Sequence, residues 1–432
     1  MAEKRILILT YYWPPSGGGG VQRWMYFAKY LSNLGFKPTV ITVDPEKASY
    51  PLIDQSQLEM VKNIETIYTS TLEPLKLYSL LKTGKADKAI PYGNLGEKNS
   101  GFFGKLMAFI RANFFVPDAR KGWVPYATKA ASKLLKSNQY EWLITTGPPH
   151  STHLAGLKLA QKFKVKWLAD FRDPWTEIYF IQNSGRMRFA QKKDEALENE
   201  VLNKADLITT VGPGMADLLR KKLSRPEKLH ILYNGYDKEM FENIPLNSIK
   251  NELFTISHIG LLGETQRFDS LIDALKNSSL DPKKIRIFLA GTVHETYINR
   301  LKQELPNIHF DHKGFVPRQE ALSIMKNSEL LLLCPPMVGE TKLIVSTKTM
   351  EYLAASTPVL GIGDTESDAA NLVKQQSMSA FFTPENTEGI SEYLAKKFND
   401  WQLGISHNNS FNPEPYSRYA VSCQLAEILN SN

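Results

Sequence analysis

Only two cysteines, Cys334 and Cys423, stand in the 432 residues. So few thiols exclude a disulfide scaffold and a cysteine-ligated zinc finger. Long apolar runs are missing too: the stretches at 106–110 and 330–334 fall far short of the ~20 residues that cross a bilayer. No short-period repeat or low-complexity tract occurs. Lys4 and Arg5 precede Ile6-Leu7-Ile8-Leu9, but that run is too short for a secretory h-region. Tyr-Tyr-Trp-Pro-Pro follows where small cleavage-site residues belong. The segment reads as the first strand of a cytoplasmic protein.

The 42% hydrophobic and 22% charged content is that of a folded chain, and 432 residues exceed what one core usually supports. The net charge of +7 suits an anionic partner: nucleic acid, a phosphorylated substrate or an acidic membrane face. Nucleic acid is the weakest of these, because the basic residues are dispersed and no reading helix or RNP-like strand appears.

Short β-rich runs alternate with helix-patterned segments throughout, the sign of parallel α/β architecture. Strands are expected at 5–10, 38–43, 65–70, 142–146, 166–170, 207–211 and 230–233, with helices including 21–34, 152–163, 186–205 and 214–222. Asn234-Gly235-Tyr236-Asp237 then supplies turn chemistry, and the alternation restarts. The second series has strands at 254–259, 285–290, 308–310, 330–334, 358–361 and 379–382. Its helices fall near 269–276, 294–304, 318–326, 347–355, 367–374 and 389–398. Two doubly wound Rossmann-like domains follow, 1–235 and 236–412, facing a central cleft. Ligands of open α/β sheets bind beyond the carboxyl ends of strands, so the chemistry is sought there.

The loop Trp13-Pro14-Pro15-Ser16-Gly17-Gly18-Gly19-Gly20 runs from the first strand straight into a helix. Bare peptide groups at a helix amino terminus can receive an anion. The loop has neither the Gly-Lys-Ser/Thr of a P-loop nor the spacing of a dinucleotide fingerprint, and a plain surface turn is the alternative. Gly147-Pro148-Pro149-His150 ends another strand. His150 stands at a helix start, either to hydrogen-bond a sugar hydroxyl or phosphate or as an ordinary loop histidine. His150-x-x-His153 has no carboxylate at metal-ligand spacing. Asp170-Phe171-Arg172-Asp173-Pro174-Trp175 gathers two carboxylates, a guanidinium and an indole at a strand end, either to bind acceptor hydroxyls or to pin its own loop. In the second half Gly260 leaves a strand, Arg267 opens a helix, and Lys348 and Glu351 share a helix face. A surface ion pair is the ordinary meaning of that last spacing, but the surrounding Ser/Thr caps and apolar residues indicate a buried helix.

Taken together these segments resemble a family 4-type retaining glycosyltransferase of the GT-B fold. The strongest mark is Lys348-x-x-Glu351-Tyr-Leu-Ala-Ala-x-x-Pro-Val-Leu, and the resemblance spans nearly the whole chain. It implies a nucleotide-diphosphate sugar held by the second domain and a glycan or lipid-linked acceptor held by the first, in polysaccharide or cell-envelope glycan synthesis. Glu351 matches the glutamate that holds the donor ribose. Lys348 and Arg267 match the groups that neutralise the diphosphate, with Gly260 beside them, and the amides of Gly18, Gly19 and Gly20 face phosphate or sugar. His150 matches the histidine that contacts the transferred sugar, so His150, Arg267 and Lys348 carry the chemistry. Asp170, Arg172, Asp173 and Trp175 are assigned to the acceptor. No metal or other cofactor is implied, and segment 413–432 is expected to return to the first domain.

Two departures stand out. The second glutamate of many relatives is Leu343 here, with Glu340 out of register, and the arginine that often follows the glycine is Leu261. A sugar-nucleotide epimerase of the same fold and an inactive nucleotide- or polyanion-binding relative are the competing readings. Segment 102–123, apolar with interspersed cations, either lies on an anionic membrane from the cytoplasmic side or packs into the first core.

Overall fold

The computed structural model describes residues 3–50, 52–73, 109–110, 112–137, 139–178, 185–246, 251–339, 343, 345–405 and 411–432. The chain divides into two compact units, one of residues 1–233 with 419–432 and the other of 234–418.

In the first unit a seven-stranded sheet has the order β3-β2-β1-β4-β5-β6-β7. Its strands are β1 (Lys4–Leu9), β2 (Phe36–Val43), β3 (Glu65–Thr69), β4 (Tyr140–Gly147), β5 (Lys166–Phe171), β6 (Leu207–Thr210) and β7 (Leu229–Ile231). All neighbours pair in parallel. Ile6–Leu9 and Trp142–Gly147 are buried along their whole length, as helices on both faces require. Those helices include α1 (Gly19–Asn33), α2 (Val124–Leu135), α3 (Ser151–Lys162), α4 (Arg188–Lys204) and α5 (Pro213–Arg220). The sequence pattern missed α2, because its buried face is built largely from Ala127 and Ala131, which carry little periodic signal.

The C-terminal helix Arg418–Ser431 gives its apolar side to this first core. Val421, Leu425, Ala426 and Leu429 cluster with Trp24, Leu31 and Trp142, and the Trp142 indole donates to the Leu429 carbonyl at 3.2 Å.

The second unit repeats the design with six strands in the order β10-β9-β8-β11-β12-β13. They are β8 (Phe254–Ile259), β9 (Ile285–Ala290), β10 (His309–Lys313), β11 (Leu330–Leu333), β12 (Val359–Ile362) and β13 (Ala380–Phe382). Its helices are α6 (Lys238–Glu242), α7 (Asp269–Lys276), α8 (Glu295–Glu304), α9 (Arg318–Asn327), α10 (Thr347–Ala354), α11 (Asp368–Val373) and α12 (Thr387–Leu403). β10 runs three residues past the apolar stretch at 308–310, through Asp311, His312 and Lys313. An edge strand tolerates such polar residues and is protected by them.

Within segment 102–123, residues 102–108 and 111 lie outside the described residues. Two of the groups expected to face a membrane instead point inward. Trp123 is fully buried with its indole N–H on Thr69 Oγ1 at 2.8 Å, and Arg120 pairs with the buried Glu73 at 2.7 Å. Among the described residues no helix is long and apolar enough to cross a membrane.

Leu425→Ala is expected to lower the stability of the first unit by about 2–5 kcal/mol, the usual cost of truncating a buried leucine. Chemical denaturation followed by tryptophan fluorescence measures it.

Candidate functional site

In each sheet the strand order reverses at one place, between β1 and β4 in the first unit and between β8 and β11 in the second. Connections leave in opposite directions there and open a crevice at the carboxyl ends of the strands. The residues singled out in the sequence lie around these two crevices.

In the first unit the glycine loop leads from β1 into α1. Gly18 takes φ 94°, which favours glycine, and it caps a helix end that no side chain caps. Gly18 and Gly19 are exposed, and a Cβ on either would meet open space. The amides at this helix start are accessible to an anion.

Asp170, assigned to the acceptor, is a structural hub instead. Its carboxylate is fully buried and receives Arg23 Nη2 at 2.9 Å, Trp24 Nε1 at 2.6 Å, Thr146 Oγ1 at 2.9 Å and Thr209 Oγ1 at 2.8 Å. Burial pushes its pKa up, but the Arg23 charge and these donors together outweigh it and hold the group ionised. Arg172 is likewise engaged: its three guanidinium nitrogens donate to the carbonyls of Gly147, Gly20 and Pro148. It locks the β4 loop to the first turn of α1. Trp175 is fully buried, its indole N–H held by Asp194 Oδ1 at 2.8 Å. Asp173 is the member of the segment that stays partly exposed. Burial raises its pKa and the Arg172 charge opposes the shift.

His150 stands at the start of α3 with its ring stacked on Trp175, centroids 5.0 Å apart and planes 7° from parallel. It is 3% exposed, and neither ring nitrogen has a hydrogen-bond partner of normal geometry among the described residues. Burial, reinforced by His153, lowers its pKa well below the ordinary value, while the nearby Pro174 carbonyl opposes this. The ring is therefore a neutral imidazole, able to donate from one nitrogen and accept at the other. His153 is also buried and is lowered to about 3, chiefly by desolvation. Gly147 is required beneath both: a Cβ there would lie 2.7 Å from His153 Nε2 and 2.8 Å from His150 Nδ1.

In the second unit Lys348 and Glu351 do not pair with each other. Lys348 reaches over Gly260, whose missing Cβ would come within 3.0 Å of the ammonium, and donates to His258 Nε2 at 3.2 Å. His258 is fully buried at the end of β8, with Nδ1 3.0 Å from the Leu332 carbonyl of β11. Nε2 also lies 3.3 Å from the Leu261 carbonyl, but the closer Leu332 contact assigns the proton to Nδ1 and leaves Nε2 to accept from Lys348. Burial, then the Lys348 charge, lowers His258 to about 3. Burial lowers Lys348 to about 8, and no carboxylate among the described residues pairs with it.

Glu351 is buried, with Oε1 held by Arg318 and no partner for Oε2 among the described residues. Arg267 is less committed to the crevice: it is 40% exposed and paired with Asp269 at 3.2 Å and Glu385 at 3.6 Å. Leu261 is exposed and Leu343 half-buried, while Glu340 lies outside the described residues. No group of three or more His, Cys, Asp or Glu side chains suited to a metal occurs among the described residues.

His258, Arg318 and Arg23 were missed in the sequence. Each meets its partner across a long interval, 90, 33 and 147 residues respectively, and no local pattern reports such a contact. For His258 one signal was available: a polar residue in an otherwise apolar strand end.

Residues 99–240 match Glycosyltransferase Family 4. No curated protein sequence matches the chain. Among solved structures, sucrose-phosphate synthase from Thermosynechococcus elongatus is 14% identical, with 99% of each chain covered and a TM-score of 0.65. Anabaena HepE, solved in complex with UDP, is 13% identical over 99% of this chain and 100% of that one, with a TM-score of 0.60. A putative UDP-N-acetylglucosamine 2-epimerase from Listeria monocytogenes is 10% identical over 100% and 96%, with a TM-score of 0.55.

If Asp170 is a hub, Asp170→Ala strands a buried guanidinium and should cost about 3–5 kcal/mol of stability. Urea denaturation gives the value. A variant as stable as the parent, but weaker toward acceptor, would return Asp170 to ligand binding.

Proposed function

We propose that this chain, which has the GT-B fold and whose residues 99–240 match Glycosyltransferase Family 4, transfers a glycosyl group from a nucleoside-diphosphate sugar, with retention of configuration, to a glycan or lipid-linked acceptor. The observation that carries this reading is Lys348, a largely buried ammonium held over Gly260 by a neutral histidine, with no carboxylate in contact among the described residues. A diphosphate is the anion such a site fits. The UDP in HepE, of the same fold, supports a nucleotide-sugar donor.

As the glycosidic bond breaks, negative charge grows on the departing phosphate oxygen. A pre-placed cation stabilises that charge without reorganisation and without a metal ion, each such group typically contributing a few kcal/mol. Glu351 Oε2 is available for a ribose hydroxyl, with Arg318 fixing the other oxygen. Retention follows if the acceptor attacks from the leaving-group face and the phosphate oxygen takes its proton, so no protein nucleophile is needed. In the first unit His150 hydrogen-bonds the transferred sugar, the amides of Gly18–Gly20 face its phosphate or sugar oxygens, and Asp173 is the acceptor-contacting member of its segment. Arg267 must leave two carboxylates to reach a diphosphate, so Lys348 carries the larger share. We place the reaction in cell-envelope or polysaccharide synthesis on the cytoplasmic side.

Incubating the protein with candidate nucleotide sugars and acceptors, and reading the product anomer by NMR, tests the reading. Conversion of donor alone to an epimer would favour an epimerase instead. Lys348→Met is expected to lower kcat/KM by about 100-fold or more, and Arg267→Ala by about tenfold or less. Glu351→Ala should weaken donor binding.

Because Lys348 loses its proton near pH 8, UDP affinity should fall as pH rises above that value, and the Lys348→Met profile should be flat. Stability moves the other way. A lysine lowered from 10.5 to about 8 leaves the unfolded state holding more protons in that window, so the parent gains stability there with rising pH. Calorimetric titration with UDP and thermal melts across this range measure both.

A further inference from the structure

The outer face of the first unit carries a lysine field that the crevice chemistry does not use. α2 and α3 pack side by side, and a groove of about 480 Å³ between them is lined by Lys129, Lys133, Lys136, Lys158 and Lys162 with Thr128 and Ser132. Neither helix contains an aspartate or glutamate, and none of these five lysines forms an ion pair with a described residue. Lys129 and Lys133, and Lys158 and Lys162, are like charges one helical turn apart, a spacing that destabilises a helix until an anion relieves it.

The field continues toward exposed apolar rings. α3 packs against both α4 and the short turn Lys121–Trp123, so Lys158, Lys193 and Lys121 stand on adjoining elements, and desolvation, then the charges of Lys193 and Lys158, lower the pKa of Lys121. Lys193 stands one turn along α4 from Phe189, and the Phe189 ring meets Phe114 edge-on at 6.3 Å. Phe114 is 65% and Phe189 53% exposed. Two large rings in edge contact offer no parallel platform for bases, whereas cations bordering exposed apolar groups match a headgroup layer over acyl chains.

We infer that this face docks the protein on an anionic lipid surface, with the lysines of the α2–α3 groove meeting headgroup phosphates and Phe114 and Phe189 entering the acyl boundary. The inference goes beyond the transfer reaction and uses none of the residues assigned to it. Each lysine near such a surface contributes roughly a fivefold gain in partition.

The test is co-sedimentation of the full chain with vesicles of phosphatidylglycerol and phosphatidylcholine, against vesicles of phosphatidylcholine alone, with no nucleotide sugar present. The parent should partition onto the anionic vesicles only. Combining Lys129→Gln, Lys133→Gln and Lys158→Gln should lower that partition about 100-fold. Phe114→Ser with Phe189→Ser should lower it at unchanged salt. Thermal melts matching the parent show that both variants are folded. Anionic-vesicle binding by the lysine variant equal to the parent's, equal parent binding to phosphatidylcholine, or single-stranded RNA displacing the parent from vesicles would each overturn the inference. Binding is read without turnover, so failure to dock and failure to transfer remain separate results.

Discussion

A carboxylate without water must find its compensation in the protein, and Asp170 finds it in four donors from three elements. Arg23 and Trp24 reach it from α1, Thr146 from β4 and Thr209 from β6. The same Arg23 donates to the carbonyls of Leu232 and Tyr233, so the hub also fixes the chain where the first unit hands over to the second. Leaving any of these groups buried and unpaired is expensive. The arrangement therefore holds the end of β5 and the start of α1 in one geometry, and Arg172 transmits it to the glycine loop through the Gly20 carbonyl. The accessible amides of the loop and the stacked His150 are consequences of that rigid base.

The second unit solves a related problem with a neutral partner. Lys348 is kept in place by a histidine whose own proton is spent on the Leu332 carbonyl. A carboxylate in that position would have satisfied the ammonium and blocked an incoming anion. An imidazole lone pair orients it, and no described carboxylate compensates its charge. Glu351 is treated oppositely, with one oxygen neutralised by Arg318 and the other without a donor among the described residues. Two groups three residues apart on one helix thus receive opposite environments: an ammonium oriented by a neutral imidazole, and a carboxylate with one oxygen taken by a guanidinium.

Much of the fold was legible because parallel strands covered on both faces write themselves as apolar runs. The expected positions of all thirteen strands of the two sheets agree with the structure to within a few residues. The places where the reading failed have physical causes. α2 buries alanines rather than large side chains, so its period is faint. Trp123 and Arg120 look like membrane-facing residues until Thr69 and Glu73 are seen to receive them. The Asp170-to-Trp175 segment was noticed for its density of polar groups, yet that density serves the loop itself in Asp170, Arg172 and Trp175, and leaves Asp173 as the partly exposed carboxylate.

The sequence by itself determined the architecture and the segments that carry chemistry, since hydrophobic period, glycine and turn residues act over short stretches of chain. Only the tertiary structure decided which polar side chains are spent and which remain available. That depends on partners such as Arg23 with Asp170 and His258 with Lys348, which lie far apart in the chain and meet only when the strands between them assemble. Burial then sets each charge, and burial is a property of the packed sheet rather than of any local run of residues.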